Sequence, residues 1–168
     1  MNQIAFDEKS MILEVQRPHL ILCGILILMS ALTLLGPLCG VVFSIIKSGE
    51  FHAKYVMALV FASWIGIFIL RFTLWNLFGK EHYTIKNGNI YYYTDYKLFK
   101  NKIKKISTEN ISFRSQLIGY EEDNKGILQI ESDNGKIDSS IRIPLDQIES
   151  LIEKIKTAYN RVARPASK

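Results

Sequence analysis

The chain has 168 residues, 22% of them charged, a mean hydropathy of +0.10 and a net charge of +5, averages that would suit one ordinary domain. The averages hide a split: residues 20–46 contain no Asp, Glu, Lys, Arg or His, whereas residues 79–168 carry 16 Lys and Arg against 12 Asp and Glu. That second part has a net charge of only +4 and, with Phe99 the one aromatic among its clustered lysines, lacks a series of aromatics interleaved for base stacking, which argues against a nucleic-acid binder.

Taken in chain order, the first structured stretch lies before Arg17-Pro18, where Met11, Leu13 and Val15 alternate with Ile12, Glu14 and Gln16. The alternation reads as a half-buried strand, with an unstructured leader as the alternative. The apolar run 20–46 follows. It exceeds the roughly 20 residues that cross a ~30 Å hydrocarbon layer, and it is too long for the core of a cleaved signal peptide. A second run, 55–78, is interrupted only by Arg71. The connection 47–54 is too short for a domain, so the two runs form a helical hairpin, the structure that satisfies backbone hydrogen bonds in lipid. Cys23 and Cys39 fall inside the first span, about 24 Å apart along a helix, and read as small apolar residues that cannot pair with each other.

Small residues at a spacing of four suggest how the spans pack. Gly36, Gly40 and Ser44 lie along one face of the first, and Ala58, Ala62 and Gly66 along one face of the second, at matching depth from the connecting loop. Lys9, Arg17, Lys80, Lys86 and Lys97 flank the terminal sides, against Lys47 and Lys54 in the loop, which places both termini in the cytoplasm of an inner-membrane protein. Arg71, Trp75 and Lys80 are expected at the membrane interface, where Trp75 serves as an anchor. The alternative buries Arg71 for a pathway or an acidic partner.

From Gly79, a helix stop, the period changes. Runs at 82–86 and 90–94 flank Asn87-Gly88, a strong hairpin signal, and β-like runs follow at 103–107, 111–115, 127–131 and 137–143, with a second turn at Asn134-Gly135. Asp146 and Glu149 form an acidic version of a capping box, and Ile148, Leu151, Ile152, Ile155, Tyr159 and Val162 give one apolar helix face. The expected organisation is an N-terminal segment 1–18, a transmembrane hairpin 19–78, an α+β domain 79–162 and a disordered tail 163–168.

Arg71, Leu74, Trp75, Asn76, Gly79, Lys80 and Glu81 at the exit of a second span, followed by a β-meander and one helix, resemble the bacterial two-pass membrane proteins that carry a cytoplasmic pleckstrin-homology-like (PH-like) domain. The resemblance implies a curved, barrel-like antiparallel sheet of about seven strands capped at one end by the helix. It implies no function by itself, because one fold hosts many. The six runs after the membrane fall one strand short, which the N-terminal segment would supply.

Catalysis is not expected. His19, His52 and His82 are scattered, no pattern has metal-ligand spacing, Gly79-Lys80-Glu81 lacks the glycines of a phosphate loop, and no nucleophile elbow occurs. No cofactor or metal is implied. Lys97, Lys100, Lys102, Lys104 and Lys105, five lysines in nine residues without an acid, stand out as a surface for anionic lipid or a protein partner, or else as the solvated edge of a strand. Tyr91, Tyr92, Tyr93 and Tyr96 read as strand residues packing on alternate faces. The functional expectation is a non-enzymatic, membrane-anchored module that recruits a protein or senses anionic lipid. The alternatives are an accessory subunit of a transport or secretion complex and a membrane immunity protein.

Overall fold

The computed structural model describes residues 3–7, 10–48, 53–119 and 123–163, so Lys9, His52 and the tail 164–168 lie outside the described residues, as does the side chain of Val162. Two compact units result: Gln16–Gly79, and Met1–Val15 together with Lys80–Lys168.

The first unit is a pair of helices, α1 (Leu20–Ser48) and α2 (Ala53–Phe78), both long and apolar enough to cross a membrane. Their apolar side chains face outward, and only 6% and 17% of their most apolar stretches are buried. Between them runs a seam of hydroxyls and one glycine. Ser30 Oγ and Thr73 Oγ1 share a hydrogen bond of 2.9 Å, Ser44 bonds Tyr55, and a Cβ on Gly66 would lie 2.5 Å from Leu34 Cδ2.

Of the small-residue ladder expected on α1, Ser44 faces α2, and the expectation is corrected at Gly36 and Gly40. A Cβ on Gly36 or Gly40 would meet nothing within 4 Å, and the buried or half-buried positions described on α1 are Cys23, Leu26, Ser30, Ala31, Thr33, Leu34, Pro37, Val41 and Ser44. Gly36 and Gly40 precede Pro37 and Val41 by one residue, which turns each about 100° from the half-buried residue that follows it. The physical reason is polar. The seam pairs the Ser30 and Thr73 hydroxyls and brings Thr73 Oγ1 to Leu26 O at 3.3 Å, bonds between the helices that a rotated α1 would forfeit, while Thr73 also holds Ile69 O of its own helix at 2.9 Å. On α2, Gly66 is buried and Ala62 half-buried, but Ala58 is exposed. Helix α2 ends at Gly79, whose N–H donates to Trp75 O at 2.8 Å and whose Cβ, if present, would collide with that carbonyl.

The second unit contains nine strands and one helix among the described residues. A five-stranded antiparallel sheet has the order β1 (Ile4–Asp7), β2 (Ser10–Glu14), β3 (Lys80–Lys86), β4 (Asn89–Asp95), β5 (Lys104–Ser107). A second sheet joins β6 (Ser112–Leu117), β7 (Lys125–Ser132) and β8 (Gly135–Asp138), with β9 (Ile143–Pro144) also on β7. Neither sheet closes, so the architecture is α+β with two open sheets in place of the single barrel-like sheet that the resemblance implied.

The N-terminal segment does enter the sheet, as a hairpin: Met11 and Leu13 are buried, and β2 pairs with β3 from Ser10↔Thr84 to Glu14↔Lys80. Asn87 and Gly88 take φ values of +50° and +66°, the left-handed pair that a two-residue hairpin turn requires. The run expected at 137–143 is split after Asp138: the Ser139 N–H still donates to Leu128 O at 2.9 Å, and pairing with β7 resumes at Ile143. Helix α3 (Leu145–Ala163) starts one residue before Asp146. Asp146 thus lies inside the first turn, where its charge suits the helix dipole, and the Leu145 N–H donates to Asn124 O at 3.0 Å. Its face of Ile148, Leu151, Ile152, Ile155 and Ala158 is buried, and Tyr159 Oη donates to Thr108 O.

Candidate functional site

The five lysines divide between two settings. Lys104 and Lys105 lie on β5, the last strand of its sheet, opposite Tyr92 and Tyr91, so the edge-strand reading describes these two. Lys97, Lys100 and Lys102 belong to the loop that joins β4 to β5. This loop is an ordered turn. The Lys97 N–H donates to Asp95 Oδ1 at 2.7 Å, the Tyr96 N–H to Phe99 O at 3.0 Å and the Asn101 N–H to Thr94 O at 2.9 Å, while Asp95 and Lys100 form an antiparallel bridge. Lys97 takes a φ of +73°, and the rings of Tyr96 and Phe99 stack at 4.6 Å. At its tip the loop exposes Leu98, and Ile103 is exposed further along.

Behind the loop, Lys100 Nζ lies 3.7 Å from Asp95 Oδ2 and 5.2 Å from the centre of the Tyr93 ring, which stacks on His82 at 4.7 Å. Lys105 Nζ sits over Tyr91 at 5.9 Å. Burial, the largest influence, lowers the His82 pKa below its usual value; Asp95 opposes it and Lys100 and Lys80 reinforce it. The tyrosines alternate across the strand: Tyr92 and Tyr96 are buried, whereas Tyr91 and Tyr93 are half-exposed and carry the lysine contacts.

Of the residues expected at an interface, Lys80 forms an ion pair of 2.6 Å with Glu14 across β2 and β3. Arg71 is exposed on α2, and Trp75, one turn on, is half-buried.

Sequence reasoning missed the most heavily hydrogen-bonded side chain. Glu81 is 0% exposed. Its carboxylate accepts from Tyr92 Oη at 3.0 Å and the Ser140 N–H at 2.7 Å on one oxygen, and from Tyr83 Oη at 3.0 Å and Ser139 Oγ at 2.6 Å on the other. Tyr83 and Tyr92 come from the first sheet and the two serines from the segment after β8, so the cluster ties one sheet to the other. The Ser140 N–H thus turns from the β7 ladder to Glu81, while the Ser139 N–H still donates to Leu128 O. Burial, and next the charge of Glu81, push both phenols well above their usual pKa, which keeps them protonated donors. Strand parity was the available signal: Glu81 shares a face with Tyr83. With the Glu81 carboxylate fully buried and all four of its hydrogen bonds made within the domain, the cluster suits a structural role.

A mainly apolar pocket of about 20 Å³ is lined by Phe6, Met11, Tyr83, Ile90 and Phe113 together with Asp7 and Ser10, room for about one water molecule. An open groove of about 670 Å³ runs between β1 and α3, past Ile4, Phe6, Gln147, Ser150 and Lys154. Among the described residues, no three His, Cys, Asp or Glu are placed to hold a metal ion.

Comparison with models of known families, with curated proteins and with solved structures finds no significant match to this chain.

Proposed function

We propose that the chain is a two-pass inner-membrane protein whose sheet unit works without catalysis, as an anchored binding module on the cytoplasmic side. The observation that carries this reading is the exposure of α1 and α2. Helices that serve as the core of a soluble protein bury their apolar side chains, whereas these turn outward from Leu20 to Ile46 and from Met57 to Phe72. In water such a surface would aggregate, and lipid is the solvent that suits it. The helical pair is inserted in the chain between two strands that hydrogen-bond each other, β2 and β3, and an even number of crossings returns the chain to the side it left. The bias of Lys and Arg toward the terminal sides makes that side the cytoplasm.

Antiparallel sheets followed by one amphipathic helix support a relationship to the PH-like plan, modified here by an added N-terminal hairpin and by division into two open sheets. A binding role, for a protein partner or for anionic lipid, fits a surface whose most distinctive feature is a rigid cationic loop.

Alkaline carbonate extraction of membranes and single-cysteine labelling test the reading. In a chain with Cys23→Ser and Cys39→Ser, the protein should stay in the membrane pellet. Glu50→Cys should react with an impermeant maleimide from outside intact spheroplasts, and Lys154→Cys should react only after lysis. Release by carbonate overturns membrane spanning, and the reverse labelling pattern overturns the orientation.

A further inference from the structure

The geometry points to the β4–β5 loop as a membrane-inserting wedge: Leu98 and Ile103 enter the boundary between headgroups and acyl chains of an anionic bilayer, while the surrounding lysines meet lipid phosphates. The inference rests on the proposal that α1 and α2 span a membrane, which supplies a bilayer to the domain.

The first observation is the distribution of exposed apolar surface. Among the described residues of the sheet unit, the large apolar side chains that are exposed are Leu98 (72%), Phe99 (40%), Ile103 (59%) and Leu117 (41%). Exposed apolar residues scattered singly are ordinary, but three of these four fall within six positions. The second is charge. Residues 97–105 hold five lysines and no acid, and Asp95, immediately before them, is engaged by the Lys97 N–H and Lys100. The third is order: the backbone bonds of the turn and the Tyr96–Phe99 stack fix the loop before any partner arrives, so little conformational freedom remains to be lost on insertion.

Composition favours lipid over protein as the occupant. Protein interfaces are enriched in Arg and depleted in Lys, and this loop has lysines alone. A lysine stem lies along apolar surface while its ammonium reaches outward, which suits the depth at which Leu98 would sit. An anionic leaflet attracts such charges over about one Debye length, ~8 Å at physiological ionic strength.

The test uses the full chain with Cys23→Ser and Cys39→Ser, reconstituted into vesicles of phosphatidylcholine alone or mixed with phosphatidylglycerol. A polarity-sensitive dye is attached at Leu98→Cys or, as a reference, at Asn134→Cys in the β7–β8 turn. In phosphatidylglycerol vesicles the dye at position 98 should shift to the blue and be quenched by a nitroxide carried on lipid. The dye at position 134 should stay aqueous.

The quenching should fall when Lys100, Lys102, Lys104 and Lys105 are all changed to Gln, and when salt is raised to 1 M, where the Debye length is ~3 Å. Flotation after an alkaline wash separates the two readings. A chain that does not float refutes spanning, whereas a floating chain with an aqueous dye at position 98 refutes the wedge alone and leaves the loop to a protein partner. Equal quenching in pure phosphatidylcholine, or full quenching in the fourfold Gln variant, overturns the role given to the lysines.

Discussion

A buried carboxyl group with four donors and no cation among them is held by geometry alone, and Glu81 spends this arrangement on joining two sheets. Glu81→Ala would leave the Tyr83 and Tyr92 hydroxyls and the Ser140 N–H without their acceptor and reduce Ser139 Oγ to its bond with Ile141 O, and a destabilisation on the order of 3 kcal/mol is expected. Glu81→Gln should cost less, because its amide oxygen can still face the fixed Ser140 N–H while rotating hydroxyls accept from its NH2 group. Denaturant unfolding of the full chain in detergent gives the order; equal losses for the two variants would contradict it. Thr94 Oγ1, on the residue paired with Glu81, is buried with no partner, so Thr94→Val should be neutral or stabilising in the same assay. His82 behaves oppositely to a paired histidine. Its folded pKa lies below the usual 6.5, so on acidification the unfolded chain takes up the proton first. The stability His82 contributes is complete above pH 6.5 and is lost as the pH falls through the lower folded value. NMR titration of the imidazole should show Lys100→Gln raising that pKa and Asp95→Asn lowering it further, in line with the sign of each neighbour. Parity on β3 put Glu81 on the inner face of the strand, but the serines that make burial tolerable lie 58 and 59 residues away, beyond any local pattern.

Elements were legible where one period dominates. The Asn87-Gly88 hairpin, the apolar face of α3 and the two long helices follow from local spacing, and each occurs close to its expected position. The seam of α1 was only partly legible: the expected ladder and the observed seam share Ser44, but toward Ser30 they diverge, and the spacing of small residues does not tell Gly36 and Gly40 from their half-buried neighbours Pro37 and Val41. Gly66 lies against Leu34, two residues from the expected Gly36. In a chain lacking Cys23 and Cys39, Ser30→Cys with Thr73→Cys should cross-link readily, because their hydroxyls already touch at 2.9 Å. Gly40→Cys with Ala62→Cys should cross-link poorly, since Gly40 faces away from α2. Equal yields would show that the helices rotate freely or that the seam lies elsewhere.

At the scale of the molecule, the sheet unit is assembled from two pieces of chain that the helical pair separates in sequence. Strand β2 was visible through the alternation of Met11, Leu13 and Val15, but β1 offers only Ile4 and Phe6 at alternate positions, too short a pattern to separate from a leader. Together they cover the edge of β3, fill the core with Leu13 (0% exposed) and Met11, and add the Lys80–Glu14 ion pair, which at its exposure contributes about 1 kcal/mol at most. Losing a buried Leu or Met side chain typically costs ~2–5 kcal/mol, and two at once approach the whole stability of an ordinary domain. A fragment of residues 53–168 expressed alone should therefore lack amide-exchange protection in β3 and β4. Co-expression with residues 1–48 should restore it, because β2 re-pairs with β3 while Ser30 and Thr73 re-form the helix seam, and the two fragments should co-purify. Native protection in 53–168 alone would show that the N-terminal hairpin is an accessory to the sheet. Failure of the two fragments to reassemble would show that the covalent link between α1 and α2, and not the β2–β3 pairing, holds the halves together.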